Sequence, residues 1–217
     1  MSEFASRRVM MVDTQVRPSD VTKFPIIDAM LSVPRETFVP DDKREAAYVG
    51  ENLTLAPGRV VLEARTLAKL LDGLDIQPTE LVLDVGCGLG YSSAVIARLA
   101  ETVVALEEDE GLAADAQRIL SEAGVDNAVT VTGKLAEGSA TCAPYDVITI
   151  QGGVEAIPAA ILSQLKDGGR IGAILMENAV GTARIGYKAA GQVTWRSIFN
   201  AAAPVLPGFA KPRGFTL

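Results

Sequence analysis

The amino-acid sequence predicts an α/β protein built around a mostly parallel sheet. Three features lead there. Between residues 81 and 175, short β-branched runs alternate with stretches of helical length, the βαβ rhythm of parallel strands joined by crossover helices. The first run leads through a turn containing Gly86, Gly88 and Gly90 into a helical pattern. Near the C-terminus, residues 183–188 and 194–199 flank the turn-like 189–192 and read as an antiparallel hairpin at the sheet edge.

Taken in order, the N-terminal third reads as helices and loops, with amphipathic stretches at 7–16, 24–31 and 41–48. Pro18, Pro25, Pro34 and Pro40 set the breaks, because proline lacks a backbone N–H and disfavours helical geometry in the residue before it. Leu67, Leu70, Leu71 and Leu74 recur at helical spacing in 63–74 and mark the last helix before the sheet. The expected strands are 81–85, 102–107, 128–133, 146–151 and 170–175. Helices at 91–100, 109–123 and 157–165 are long enough for right-handed crossovers, which place helices on both faces. This gives one domain, with a helical cap over 1–75 and the sheet over 76–217. The segment 201–215 is too rich in proline and glycine for regular structure, and is expected to run over the surface or pack on the sheet edge.

Composition narrows the function. A chain of 217 residues with 48% hydrophobic and 22% charged residues has the balance of a soluble globular protein. No apolar run approaches the roughly 18 residues of a membrane-spanning helix, and the N-terminus lacks the apolar core of a secretion signal, so a cytoplasmic protein with no membrane partner is expected. Cys87 and Cys142 have no neighbours at metal-ligand spacing, which argues against a disulfide framework or a metal site. A formal net charge of −7 without a basic stripe disfavours nucleic acid as a partner. The chain contains no histidine, which excludes Ser-His-Asp and Cys-His nucleophilic schemes. Either a monomer or a homodimer is compatible with the sequence.

The glycine-rich turn carries the chemistry. Glycine permits positive φ there, and a missing Cβ lets backbone N–H groups approach a ligand at the amino end of the following helix. A dinucleotide site calls for G-x-G-x-x-G, whereas here the third glycine comes one residue early and Tyr91 takes the sixth position. The next strand ends in Glu107, which lies beside the turn in a parallel sheet and can accept hydrogen bonds from both hydroxyls of a ribose. Asp84, at the end of the first strand, borders the same crevice. Turn, acid and strand order together point to S-adenosylmethionine. Cys87 is expected to be a small packed residue whose backbone faces that ligand.

The sequence also resembles the protein-L-isoaspartate O-methyltransferase family over most of its length. Met11, Val12, Gln15, Val16 and Arg17, then Ala29, Met30, Val33, Pro34, Arg35, Phe38, Val39 and Pro40, then Ala47 and Tyr48 are similar to its N-terminal signature. The turn DVGCGLGY with Glu107 is general to class I methyltransferases. Ala143–Asp146 leading into VITIQGG and the run Leu165–Arg170 match two further blocks. The resemblance implies a Rossmann-like class I methyltransferase fold with a seven-stranded sheet, S-adenosyl-L-methionine as cofactor, and an isoaspartyl-containing protein or peptide as methyl acceptor in a repair reaction. It places the cofactor on Asp84, Gly86, Cys87, Gly88, Gly90, Glu107, Glu108, Lys134, Leu135 and Gln151, and it assigns no catalytic residue.

Two departures from the family pattern stand out. The family's serine at the acceptor site corresponds here to Arg59 or Leu62, within APGRVVLEAR. Its adenine-accepting aspartate is replaced by Lys134, with Leu135 following. Loss of a hydrogen bond of that kind is worth roughly 1.5–3 kcal/mol, about ten- to a hundredfold in affinity, unless Glu137 or backbone substitutes. Two alternatives follow. Arg59 and Arg65 could clamp an acidic small-molecule acceptor, or the chain could be a non-catalytic S-adenosylmethionine-binding module. Trp195 reads as packing, and Asp13, Arg17 and Arg35 as ion-pairing residues that hold the helices.

Overall fold

The computed structural model describes residues 3–211. A seven-stranded sheet has the order β5-β4-β3-β6-β7-β8-β9, with β3 at Leu81–Val85, β4 at Thr102–Glu107, β5 at Ala128–Thr132, β6 at Tyr145–Val154, β7 at Leu165–Glu177, β8 at Val180–Ala189 and β9 at Gln192–Asn200. Strands β3 to β7 run parallel, and β8 and β9 add antiparallel to the β7 edge. The order reverses at β3, which has β4 on one side and β6 on the other, so a crevice opens beyond the carboxyl ends of these three strands.

Strand periodicity decides what faces that crevice. Leu83 and Val85 of β3, Val104 and Leu106 of β4, and Ile148 and Ile150 of β6 belong to one core layer. Val82, Val103 and Val147 point the opposite way, into the layer shared with the helical cap. The alternation of side chains therefore puts Asp84, Glu107, Thr149 and Gln151 on the cap face of the sheet, at its carboxyl end. All four are buried.

The cap comprises α1 (Glu3–Met11), α2 (Phe24–Ser32) and α3 (Ala64–Leu74), with a π turn over Val12–Val16 that extends α1 and 3₁₀ turns at Arg35–Phe38 and Asp41–Ala46. Helix α3 buries Leu67, Leu70, Leu71 and Leu74 against the sheet, the stripe expected from its spacing. Crossover helices α4 (Tyr91–Ala97), α5 (Glu110–Glu122) and α6 (Ala159–Ser163) are each shorter than their sequence patterns. Residues 41–48 hold only 3₁₀ and turn structure, where an amphipathic stretch was expected.

Asp13 and Arg17 pair with each other at 3.1 Å on the surface and hold no helices together. Arg35 is the true bridge. It is fully buried, donates to the Ala47 and Leu62 carbonyls at 2.7 and 2.8 Å, and stacks 4.6 Å from the Tyr91 ring centroid. Trp195 lies partly buried against the core layer of Leu83, Val104 and Ile148.

Two features have no counterpart in the sequence reading. Residues 53–61 form a small antiparallel hairpin, β1 (Leu53–Ala56) and β2 (Arg59–Val61), separate from the main sheet. The C-terminal segment neither skims the surface nor packs on the β9 edge. Gly153 N–H donates to Pro204 O at 2.8 Å, Leu206 N–H donates to Gly153 O at 2.9 Å, and Leu206 and Phe209 are buried. The residues from 201 to 211 thus cross the carboxyl end of β6; those from 212 onward lie outside the described residues.

Candidate functional site

The turn after β3 has the conformation that its glycines permit. Gly86, Gly88 and Gly90 sit at φ of +77°, +58° and +93°, which is unstrained only without a Cβ. Gly86 N–H and Cys87 N–H both donate to Leu106 O, at 2.8 and 3.2 Å, so the turn is fastened to β4. Gly88 N–H donates to Glu107 Oε2 at 3.0 Å, while the Glu108 and Asp109 amides donate to Glu107 Oε1 at 2.8 and 3.1 Å. The turn and the acid at the tip of β4 therefore adjoin.

Asp84 is held by hydrogen bonds within the protein. Its Oδ2 accepts from Ser92 and Ser93 at 2.6 Å each, and its Oδ1 accepts from Gln151 Nε2 at 2.7 Å. It is fully buried. Burial pushes this carboxyl above its usual range, against the three hydrogen bonds, with Glu107 adding in the same direction. Asp84 ties α4 and β6 to β3. Gln151 is likewise committed to Asp84. The Cys87 thiol is buried and pushed well up by burial and by the Asp84 and Glu107 charges, so it is a packed group rather than a reactive one.

The crevice itself is filled by the chain's own side chains. Arg59 Nε donates to Glu107 Oε1 at 2.8 Å, and both residues are buried. A Cβ at Gly88 would meet Leu55 Cδ1 at 2.5 Å. A Cβ at Gly86 would lie 3.2 Å from Leu206 Cδ1, and one at Gly152 2.6 Å from Leu206 Cδ2. Leu55, Arg59 and Leu206 thus occupy the space above the glycines. Beneath the hairpin, a separate cavity lined by Val60, Leu62, Cys87, Ser92 and Gln151 measures ≈ 10 Å³, hardly enough for one water. Larger hollows of ≈ 460 and ≈ 400 Å³ lie elsewhere, against α5 and between the cap and α4.

Residues 8–193 match the sequence profile of the family described as protein-L-isoaspartate(D-aspartate) O-methyltransferase, PCMT. The chain belongs to that family. It is 35% identical to a protein-L-isoaspartate O-methyltransferase of Koribacter versatilis over 79% of this chain and 77% of that protein. It is 36% identical to one of Herpetosiphon aurantiacus over 76% of this chain and 74% of that one. Among solved structures, a protein-L-isoaspartate O-methyltransferase superposes with a TM-score of 0.79 at 22% identity, covering 94% of this chain and 66% of the other. A putative family member from Plasmodium falciparum in complex with S-adenosyl-L-homocysteine superposes with a TM-score of 0.78 at 15% identity, covering 95% and 99%. The last two establish the fold: a seven-stranded class I methyltransferase sheet with a C-terminal antiparallel hairpin.

Leu135 is buried beside Gly86, and its N–H faces Glu108 Oε2 at 3.5 Å. Lys134 is exposed and pairs with Glu137 at 3.2 Å, so Glu137 is engaged with the lysine. Arg59 is spent on Glu107 rather than free to clamp an acceptor. Arg65 is half exposed, near Glu63 at 3.7 Å and over the Phe199 ring. Leu62 is buried, with its carbonyl held by Arg35. The structure does not bring Arg59 and Arg65 together as an anion clamp.

The turn and the acid that would hold the cofactor are therefore assembled side by side, with Leu55 and Leu206 against the glycines and Arg59 on Glu107, so a ligand reaching Glu107 has to move Arg59. Sequence reasoning missed Leu55, Leu206 and the two serines on Asp84. Of these only the serines left a signal, at helical positions directly after the turn; opposite charges 48 residues apart, as in Arg59 and Glu107, give none.

Proposed function

We propose that this chain is an S-adenosylmethionine-dependent carboxyl O-methyltransferase of the isoaspartyl type, acting on damaged aspartyl residues in proteins or peptides. The observation that carries the reading is the contact between the Gly88 amide and the Glu107 carboxylate at the reversal point of a parallel sheet, in a chain of this family. Glu107 is the group that would take the ribose hydroxyls, and the turn 86–90 is the part of the backbone that would approach the amino-acid end.

The acceptor suits a chain without histidine. A carboxylate is already ionised at neutral pH, so no base has to remove a proton from it, and alignment supplies the main advantage. A cytoplasmic location goes with this reading. Among the described residues, no helix is long and apolar enough to cross a membrane.

A methyl-ester release assay on an isoaspartyl peptide tests the reading, with the aspartyl peptide as control. Ester formed only on the isoaspartyl peptide is the expected result. A second reading, a non-catalytic module, is favoured by the filled crevice together with Lys134 at the adenine position. It predicts no ester on any carboxylate acceptor. In this conformation Arg59 is held on Glu107 and Arg65 lies over the Phe199 ring, so the two arginines do not form the clamp that the acidic small-molecule alternative calls for.

A further inference from the structure

The three side chains that fill the crevice come from two segments that touch. Leu55 and Arg59 lie on the β1–β2 hairpin, whose tip at Gly58 has a φ of +72° and faces Val205 O and Pro207. Leu206 lies on the C-terminal segment. Asn52, at the base of the hairpin, donates to Ala202 O at 2.9 Å and accepts from Glu63 N–H at 2.9 Å. The C-terminal segment is held on β6 by a few backbone hydrogen bonds around Gly153 and Glu155, and by the buried Leu206 and Phe209. Hairpin and segment together form one closure over the turn.

We infer that Arg59 and Leu206 are a built-in latch that competes with the cofactor and sets its affinity, an inference that rests on the methyltransferase reading above. Glu107 has two carboxylate oxygens. One takes Arg59 and two amides, the other takes the Gly88 amide. A ribose seeking the same oxygens has to displace the Arg59 guanidinium, and an amino-acid end approaching the backbone at Gly86 has to displace Leu206, which lies against Gly86 and Gly152. The closed form is therefore a state that does not bind. When only a fraction of the molecules is open, the apparent dissociation constant rises in inverse proportion to that fraction. Both contacts must yield, so weakening either one raises the open fraction.

The test is calorimetric titration with S-adenosylhomocysteine of the full chain and of Arg59→Ala, Leu206→Ala and the double variant. Leu206→Ala keeps the ion pair intact, and so remains informative if Arg59→Ala folds poorly. Each single variant is expected to bind at least about tenfold tighter than the wild type, and the double variant tighter still. Addition of Glu107→Ala to Leu206→Ala removes that gain. In the wild type, saturating ligand is expected to speed hydrogen exchange at the Leu206 amide while slowing it at the Gly88 amide. Equal or weaker binding by the variants than by a wild type that binds overturns the latch and leaves the methyltransferase reading standing. Binding by none of the proteins overturns both. Tighter binding by the variants with no ester on the isoaspartyl peptide supports the latch and sinks the assigned activity.

Discussion

Replacing Arg59 by methionine should destabilise the protein far more than a surface ion-pair mutation would. The side chains of Arg59 and Glu107 are 6% and 0% exposed, with Nε to Oε1 at 2.8 Å, so removing the guanidinium leaves a buried carboxylate without its counter-charge. Breaking a buried pair from one side costs about 3–5 kcal/mol. Three backbone amides still donate to Glu107, which places the loss near the lower end, about 3 kcal/mol. With an unfolding entropy of about 2.1 cal/mol/K per residue over 217 residues, that is a drop in Tm of about 7 °C. Thermal unfolding of a double-mutant cycle with Glu107→Gln checks it. The doubly substituted protein should be more stable than the sum of the two single losses by about 2 kcal/mol, because no charge is then stranded. Strict additivity, or a loss below about 1 kcal/mol for Arg59→Met, would mean that the pair is solvated and does not close the crevice.

Three other outcomes follow from the geometry. Lys134→Asp supplies an acceptor at the position that the family resemblance gives to the adenine contact, and should tighten S-adenosylhomocysteine binding about tenfold, the low end of a hydrogen bond to a charged group; calorimetry showing no change would place the adenine elsewhere. Gly88→Ala forces an L-residue to a φ of +58° and drives its Cβ towards Leu55 Cδ1, so a stability loss of about 1–2 kcal/mol is expected by denaturant titration, and an unchanged midpoint would contradict the turn conformation. The Asp146 carboxyl is resisted by burial but drawn below its usual range by Lys166 at 2.7 Å and the Leu81 amide at 2.9 Å. A depressed carboxyl contributes stability above its unfolded pKa of about 3.9 that is lost as pH falls through the folded value. Asp146→Asn should therefore lower Tm at pH 7 by an amount worth about 1 kcal/mol, and the difference from wild type should shrink below about pH 4.

The inner strands β3 and β4 were legible because each is a short, largely apolar run with β-branched residues, whereas β6 and β7 extend beyond the expected 146–151 and 170–175. Leu81–Val85 and Thr102–Glu107 begin and end where the pattern places them. Glu107 was legible as the acid at a strand tip, since parallel register alone sets β4 beside β3. The β1–β2 hairpin was not, because four and three residues with a Pro-Gly turn give too little alternation to distinguish a strand from a loop. The role of Arg59 was hidden for another reason. It depends on a contact between segments far apart in sequence, and the same arginine suits an acceptor clamp equally well. Leu206 sits in a Pro- and Gly-rich stretch whose local pattern carries no periodicity, so only tertiary packing reveals that it covers Gly86 and Gly152. Asp84 was placed correctly at the strand end, but its partners Ser92 and Ser93 turn it inward, and helix periodicity does not show which side chain captures which.

A crystal structure of the wild-type chain grown with saturating S-adenosylhomocysteine probes the crevice most directly. The ribose hydroxyls should be found on Glu107 with the Arg59 guanidinium withdrawn from it and Leu206 lifted from Gly86. Ligand bound at another surface, or a crevice still filled by Arg59 and Leu206 at millimolar ligand, would contradict the assignment of the turn 86–90 and Glu107 as the cofactor cradle.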